Sequence, residues 1–124
     1  MSKTILIVED DSFIQELTAK KLQKAGFTVV MVKNGQDAIK KAEEADLDLV
    51  ICDLLIPHID GFEVITKLRT IEKTKDIPII VFSNLADSDA FSRATSAGAT
   101  KFLVKANFSL SDVVQEVETL IGKA

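Results

Sequence analysis

At 124 residues, with 47% hydrophobic content, five Gly and two Pro, the sequence suits a single domain over residues 1–124 and has no room for a second. A net charge of -4, with 15 basic residues scattered among 19 acidic ones, argues against direct nucleic-acid binding and points to protein partners. No apolar run reaches the roughly 18 residues of a membrane span, and Met1-Ser2-Lys3 leads straight into a strand-like run, so a cytoplasmic protein without membrane insertion is expected.

The chain alternates two periodicities. Thr4-Ile5-Leu6-Ile7-Val8 is a continuous apolar run suited to a strand covered on both faces, and Glu9-Asp10-Asp11 ends it. Ser12 with Gln15 three residues on has the form of a capping box for a first helix. The apolar stripe of that helix reads as Phe13, Ile14, Leu17, Leu22 and Ala25, stopping at Gly26. Phe27 to Val32 reads as strand two, and Asn34-Gly35 opens a second helix that buries Ala38, Ile39, Ala42 and Ala45. Leu47 to Cys52 is strand three, ending at Asp53, and Pro57 with Asp60-Gly61 turns the chain just beyond it.

Asp60 with Glu63 caps a third helix with the stripe Val64, Ile65, Leu68 and Ile71. Thr70 to Asp76 is a polar connection, and Ile77 to Phe82 is strand four, where Pro78 is tolerable only near the start. Asp87 to Ala97 forms helix four with Ala90, Phe91, Ala94 and Ala97 inward, ended by Gly98, and Lys101 to Lys105 forms strand five. Leu110, Val113, Val114, Val117, Leu120 and Ile121 mark the last helix, capped by Ser109 or Ser111. The lone Cys52, between Ile51 and Asp53, suits a small core residue, and His58 suits a solvent-facing loop.

Five strand-helix pairs with short connections imply an α/β fold, a parallel sheet covered on both faces by right-handed crossovers. In such folds ligands bind beyond the carboxyl ends of the strands. That edge collects Glu9 and Asp10 after strand one, Asp53 after strand three, Ser83 after strand four and Lys105 after strand five. Two carboxylates roughly 5 Å apart at an effective dielectric of about 20 repel by ~3 kcal/mol, so three together call for a cation. Mg²⁺ suits an incompletely caged acidic site, since it keeps waters and completes its shell with phosphate oxygens. Lys105 and the Ser83 hydroxyl then supply a charge and a donor for a phosphoryl group on Asp53.

Ile7-Val8-Glu9-Asp10-Asp11, Cys52-Asp53 with Ile56-Pro57-His58-Ile59-Asp60-Gly61, Val81-Phe82-Ser83, Ala97-Gly98-Ala99 and Val104-Lys105 together resemble the receiver domain of two-component response regulators. The resemblance spans essentially the whole chain. It implies a flavodoxin-like (βα)5 sandwich with strand order 2-1-3-4-5. It further implies that Asp53 accepts a phosphoryl group from a histidine kinase or phosphotransfer protein. Glu9, Asp10, Asp53 and the backbone carbonyl of Leu55 would hold Mg²⁺, with Asp10 the more direct ligand and Glu9 acting through water. Ser83 would be the switch hydroxyl, Lys105 its salt-bridging partner and Phe102 the switch aromatic. The output would be a protein-interaction face made by helix four, strand five and helix five, read by a downstream protein target.

Departures from the family pattern are Glu at position 9, Ser at 83, Phe at 102 and Ala106 in place of the usual Pro. Because a cis bond before Ala costs about 2.5 to 4 kcal/mol, a trans Lys105-Ala106 bond and a rearranged loop through Asn107 are expected. Apolar Leu55 and Leu85, two residues beyond Asp53 and Ser83, suggest slow self-dephosphorylation. A haloacid-dehalogenase-type phosphotransferase would carry its general acid where Leu55 stands, so a switch and not a turnover enzyme is expected. A flavodoxin-type FMN carrier would not set Glu9-Asp10-Asp11 against an anionic phosphate. The remaining alternative is a degenerate receiver acting as a phosphorylation-independent interaction module.

Overall fold

The computed structural model describes residues 2–124; Met1, with which the sequence was read as running directly into a strand, lies outside them. The elements alternate as β1 (Thr4–Val8), α1 (Ser12–Lys24), β2 (Thr28–Val32), α2 (Gly35–Glu44), β3 (Leu49–Cys52), α3 (Gly61–Leu68), β4 (Ile79–Ser83), α4 (Ser88–Ala97), β5 (Lys101–Val104) and α5 (Leu110–Ile121), with a 3₁₀ turn over Lys105–Asn107. The strands form one parallel sheet of order β2-β1-β3-β4-β5, the flavodoxin-like order. Val8 pairs with Cys52 and Cys52 with Val81, so the residues that follow, among them Glu9 and Asp53, leave the sheet along one edge.

Because successive side chains of a strand point to opposite faces, the sheet builds two cores. Leu6, Val8, Val50, Cys52, Ile79 and Val81 pack with Ala38, Ala42, Val64, Ile65, Leu68, Ala90 and Ala94 of α2, α3 and α4. Ile5, Ile7, Leu49, Ile51, Ile80, Phe82 and Leu103 pack with Ala19, Leu22, Val113 and Val117 of α1 and α5. Strands β1, β3 and β4 are continuous apolar runs because both their faces are buried.

Four sequence expectations change. The N-cap of α1 is Asp11, whose carboxylate accepts from the Ile14 N–H, so Ser12 and Gln15 form no capping box. The buried face of α1 is Gln15, Thr18, Ala19 and Leu22, while Phe13, at 71%, and Leu17 are exposed. Phe91 of α4 also faces outward, leaving Ala90 and Ala94 as the inward residues. Strand β4 starts only at Ile79, because Pro78 has no N–H for the ladder. Asn34 caps α2, Asp60 caps α3 and Ser109 caps α5 as expected, the last in a capping box with Asp112, while Asp87 stands as the N-cap of α4 and not as its first helical residue.

One guanidinium ties down the edge away from the acidic residues. Arg69, just past α3, donates from Nε and Nη2 to the Gly98 carbonyl at 3.0 and 2.8 Å. Its Nη1 donates to the carbonyls of Ile77, Thr74 and Lys75 at 2.6, 3.2 and 3.2 Å. Gly98 closes α4 in the left-handed conformation with φ of 118°, and a Cβ there would meet Arg69 at 2.8 Å.

Candidate functional site

At the carboxyl edge the structure brings Asp53, Glu9, Asp10, Ser83 and Lys105 together. Asp53 follows the last residue of β3, and its N–H donates to the Val8 carbonyl at 3.0 Å, so the sheet ladder itself positions it. Its Oδ1 accepts from the Ser83 hydroxyl at 2.6 Å and from the Leu55 N–H at 3.1 Å, and its Oδ2 accepts from Lys105 Nζ at 2.7 Å. Asp53 and Ser83 are both buried, and every one of these contacts is to a donor, as a buried carboxylate requires.

Gly61 lets the loop beyond Asp53 fold back against it. A Cβ at this position would lie 2.5 Å from the Asp53 carbonyl and from Leu54 Cα, so only glycine fits. Within that loop His58 is exposed with φ of 71°, facing solvent as expected.

Glu9 is buried, unlike the exposed Asp10 beside it. One oxygen of Glu9 pairs with Lys105 Nζ at 2.6 Å, and the other accepts from the Asp11 N–H at 3.2 Å. Burial raises the Glu9 carboxyl above its ordinary value; the Lys105 hydrogen bond pulls it back, and the charge of Asp53 pushes it up again. For Lys105 burial acts downward, but the hydrogen bonds and charges of Asp53 and Glu9 outweigh it and hold the ammonium above its usual range. Burial also drives the Cys52 thiol upward, with Asp53 and Glu9 adding to the effect, which leaves Cys52 a protonated core residue with its Sγ 3.2 Å from the Asp53 carbonyl.

The donor set fits a hard divalent cation. Carboxylate oxygens of Glu9, Asp10 and Asp53 lie within 4.8 Å of one another, all hard ligands, one of them on an exposed residue that leaves the cluster open to water. Lys105 bridging two of these three acids accounts for how they coexist. Leu55 contributes its N–H to Asp53 in this arrangement, and its side chain is 57% exposed.

Phe102 stands apart from the cluster. It is half-buried on β5 and meets the exposed Phe91 of α4 with ring centroids 5.8 Å apart. After β5 the chain turns through Lys105–Asn107, and no cis peptide bond occurs among the described residues, so the Lys105-Ala106 bond is trans as expected. Gln15 is the functional-site neighbour that the sequence reading placed wrongly: it is buried behind Glu9, with Nε2 donating to the carbonyls of Glu9 and Val32 at 3.1 and 2.7 Å. A polar residue breaking the apolar stripe of α1 was the available signal.

Residues 5–118 match the response regulator receiver domain family. Among curated relatives, Response regulator RR06 of Streptococcus pneumoniae is 35% identical over 119 residues, 96% of this chain and 53% of that protein. The DNA-binding dual master transcriptional regulator RpaA of Synechocystis is 32% identical over 119 residues, 96% of this chain and 49% of that protein. The chain thus spans about half the length of the curated relatives it matches. Among solved structures, the chemotaxis protein CheY4 of Vibrio cholerae superposes with a TM-score of 0.91 at 27% identity, covering 97% of this chain and 99% of that one. The receiver domain of a sensor histidine kinase from Pseudomonas aeruginosa, with a magnesium ion coordinated in its active-site cleft, superposes with a TM-score of 0.89 at 26% identity, covering 99% of this chain and all of that one. Strand order, family match and structural likeness agree over nearly the whole chain, and the protein belongs to the response regulator receiver domains of two-component systems.

Proposed function

We propose that Asp53 is a phosphoacceptor, taking a phosphoryl group from a histidine kinase or phosphotransfer protein and so switching a protein-interaction surface. The observation that carries this reading is the convergence on one buried carboxylate of Ser83, Lys105 and two further acids from three other strand ends. In the transfer an Asp53 oxygen forms the new P–O bond while the donor's P–N bond breaks. Glu9, Asp10, Asp53 and the Leu55 carbonyl would hold Mg²⁺, which would supply positive charge to offset that of the phosphoryl oxygens. Lys105 releases Glu9 and pairs with the phosphoryl group, and the Ser83 hydroxyl, already 2.6 Å from Asp53, donates to it.

Apolar Leu55 and Leu85 shield the phosphoryl group from water, so it is lost only slowly, and with no general acid at Leu55 the protein acts as a switch and not as a turnover enzyme. The output face comprises α4, β5 and α5, where Phe91 and Phe102 form a partly exposed aromatic pair beside the Lys101–Glu116 ion pair. Residues 1–124 act as one receiver domain in the cytoplasm, and a downstream protein reads this face.

The test is labelling by a small phosphodonor such as acetyl phosphate with Mg²⁺. Wild type is expected to be labelled and Asp53→Asn to lose all labelling while keeping its circular dichroism spectrum. Undiminished labelling of Asp53→Asn sinks the assignment, and an unlabelled wild type favours a phosphorylation-independent interaction module.

A further inference from the structure

We propose that Gln15 is a positioning residue for the cation-binding carboxylates, its buried amide fixing the peptide that joins Glu9 to Asp10. The inference rests on the reading of Glu9, Asp10 and Asp53 as a cation site and assigns a role to a residue outside that cluster. Gln15 lies on the inner face of α1, where the neighbouring buried positions are Thr18, Ala19 and Leu22. An apolar residue would suit that position if packing were all that mattered, since burying an amide costs free energy unless it is hydrogen-bonded. Gln15 is only 4% exposed, and its Nε2 spends both N–H donors on two backbone carbonyls.

The two carbonyls have particular places in the fold. Val32 O ends β2 and also accepts from the Glu9 N–H at 3.1 Å. Glu9 O belongs to the peptide unit leading into Asp10, so the direction of that carbonyl sets the direction in which the chain presents Asp10. Asp10 is exposed and takes its orientation from the backbone, whereas Glu9 also has Lys105 and the Asp11 N–H. The α1 end of the same loop is fixed by the Asp11 cap on the Ile14 N–H at 3.1 Å. One amide thus joins the ends of β1 and β2 to α1 at the point where the acidic pair leaves the sheet. Partners that hydrogen-bond ligating side chains directly typically contribute 10- to 100-fold to metal affinity, and Gln15, acting through the peptide instead, is assigned the low end of that range.

The experiment is calorimetric Mg²⁺ binding to wild type, Gln15→Met and Gln15→Arg, alongside the Mg²⁺ dependence of acetyl phosphate labelling. Gln15→Met, which has similar length but no donor, is expected to weaken Mg²⁺ binding about tenfold, while the labelling rate at saturating Mg²⁺ stays within about twofold of wild type. Gln15→Arg restores N–H donors and is expected to recover most of the affinity, a rescue that a purely packing role does not produce. Wild-type affinity in a folded Gln15→Met overturns the inference, as does equal weakening in Gln15→Met and Gln15→Arg. Should Gln15→Met fail to fold, Gln15→Asn, one methylene too short to bridge both carbonyls, is expected to shift affinity in the same direction, and an unchanged value there overturns the inference. A wild type that binds no Mg²⁺ overturns instead the reading of the acidic cluster on which the inference rests.

Discussion

Helices α1 and α5 lie side by side on the same face of the sheet, yet α1 buries polar residues among its apolar ones and α5 does not. In α5 the fully buried positions are Val113 and Val117, flanked by half-buried Val114, Leu120 and Ile121, so its apolar period and its inner face coincide. In α1 two of the four buried residues are polar, and Phe13 stands 71% exposed. The polar pair is satisfied by backbone: Gln15 by Glu9 and Val32, and Thr18 by the Ile14 carbonyl at 2.7 Å. A helix that starts in the acidic loop has its first turns occupied in holding that loop, whereas the inner face of α5 serves packing against the sheet.

The contrast can be broken most directly by core deletion. Leu22→Ala in α1 and Val117→Ala in α5, both at fully buried positions, are expected to cost about 3 and about 2 kcal/mol in urea unfolding. A cost near zero for Leu22→Ala means that α1 is not packed through its C-terminal half.

A second test uses pH. Because Glu9 titrates above its ordinary 4.5 in the fold, its ionisation disfavours the native state, and its contribution to stability falls as pH rises through the raised value. Below pH 4.5 it is protonated in both states and makes no difference. Glu9→Gln is therefore expected to match wild type in unfolding free energy at about pH 4 and to exceed it at about pH 7. A wild type that gains on the variant as pH rises reverses the sign and implies that Lys105 outweighs burial at Glu9.

The smallest effect belongs to the exposed face of α1. Phe13→Ser is expected to change stability by no more than about 0.5 kcal/mol, and a larger loss places Phe13 in contact with the core.

Much of the molecule was legible before folding because both sheet faces are covered. Ile5 to Val8 and Val50 to Cys52 read as buried strands from short apolar runs bounded by polar and turn residues, and Asp53 as the carboxylate that ends one. Ser109 and Asp60 announced their helices for the same local reason, a side-chain oxygen within reach of an N–H three residues on. Where expectation failed, a partner outside the expected pattern decided. The Ser12-Gln15 pair has the form of a capping box, but Asp11 takes the cap and Val32 takes the Gln15 amide. Phe91 follows the helical period inward, yet small Ala90 and Ala94 hold the interface and Phe91 meets Phe102 at the surface. The Lys105–Glu9 pair joins residues far apart in sequence, and nothing in either neighbourhood predicts that the longer Glu side chain meets the ammonium at 2.6 Å.

The Arg69 clasp carries a consequence for how the domain comes apart. The segment after α3 and the corner after α4 share no secondary structure, yet Thr74, Lys75, Ile77 and Gly98 all place carbonyls on one guanidinium. Neither can swing open without taking carbonyl partners from the same half-buried cation, so the two behave as one cooperative unit, and amide exchange in both slows or quickens together. Arg69→Lys cannot preserve that coupling, since an ammonium has too few donors in the wrong geometry to span both.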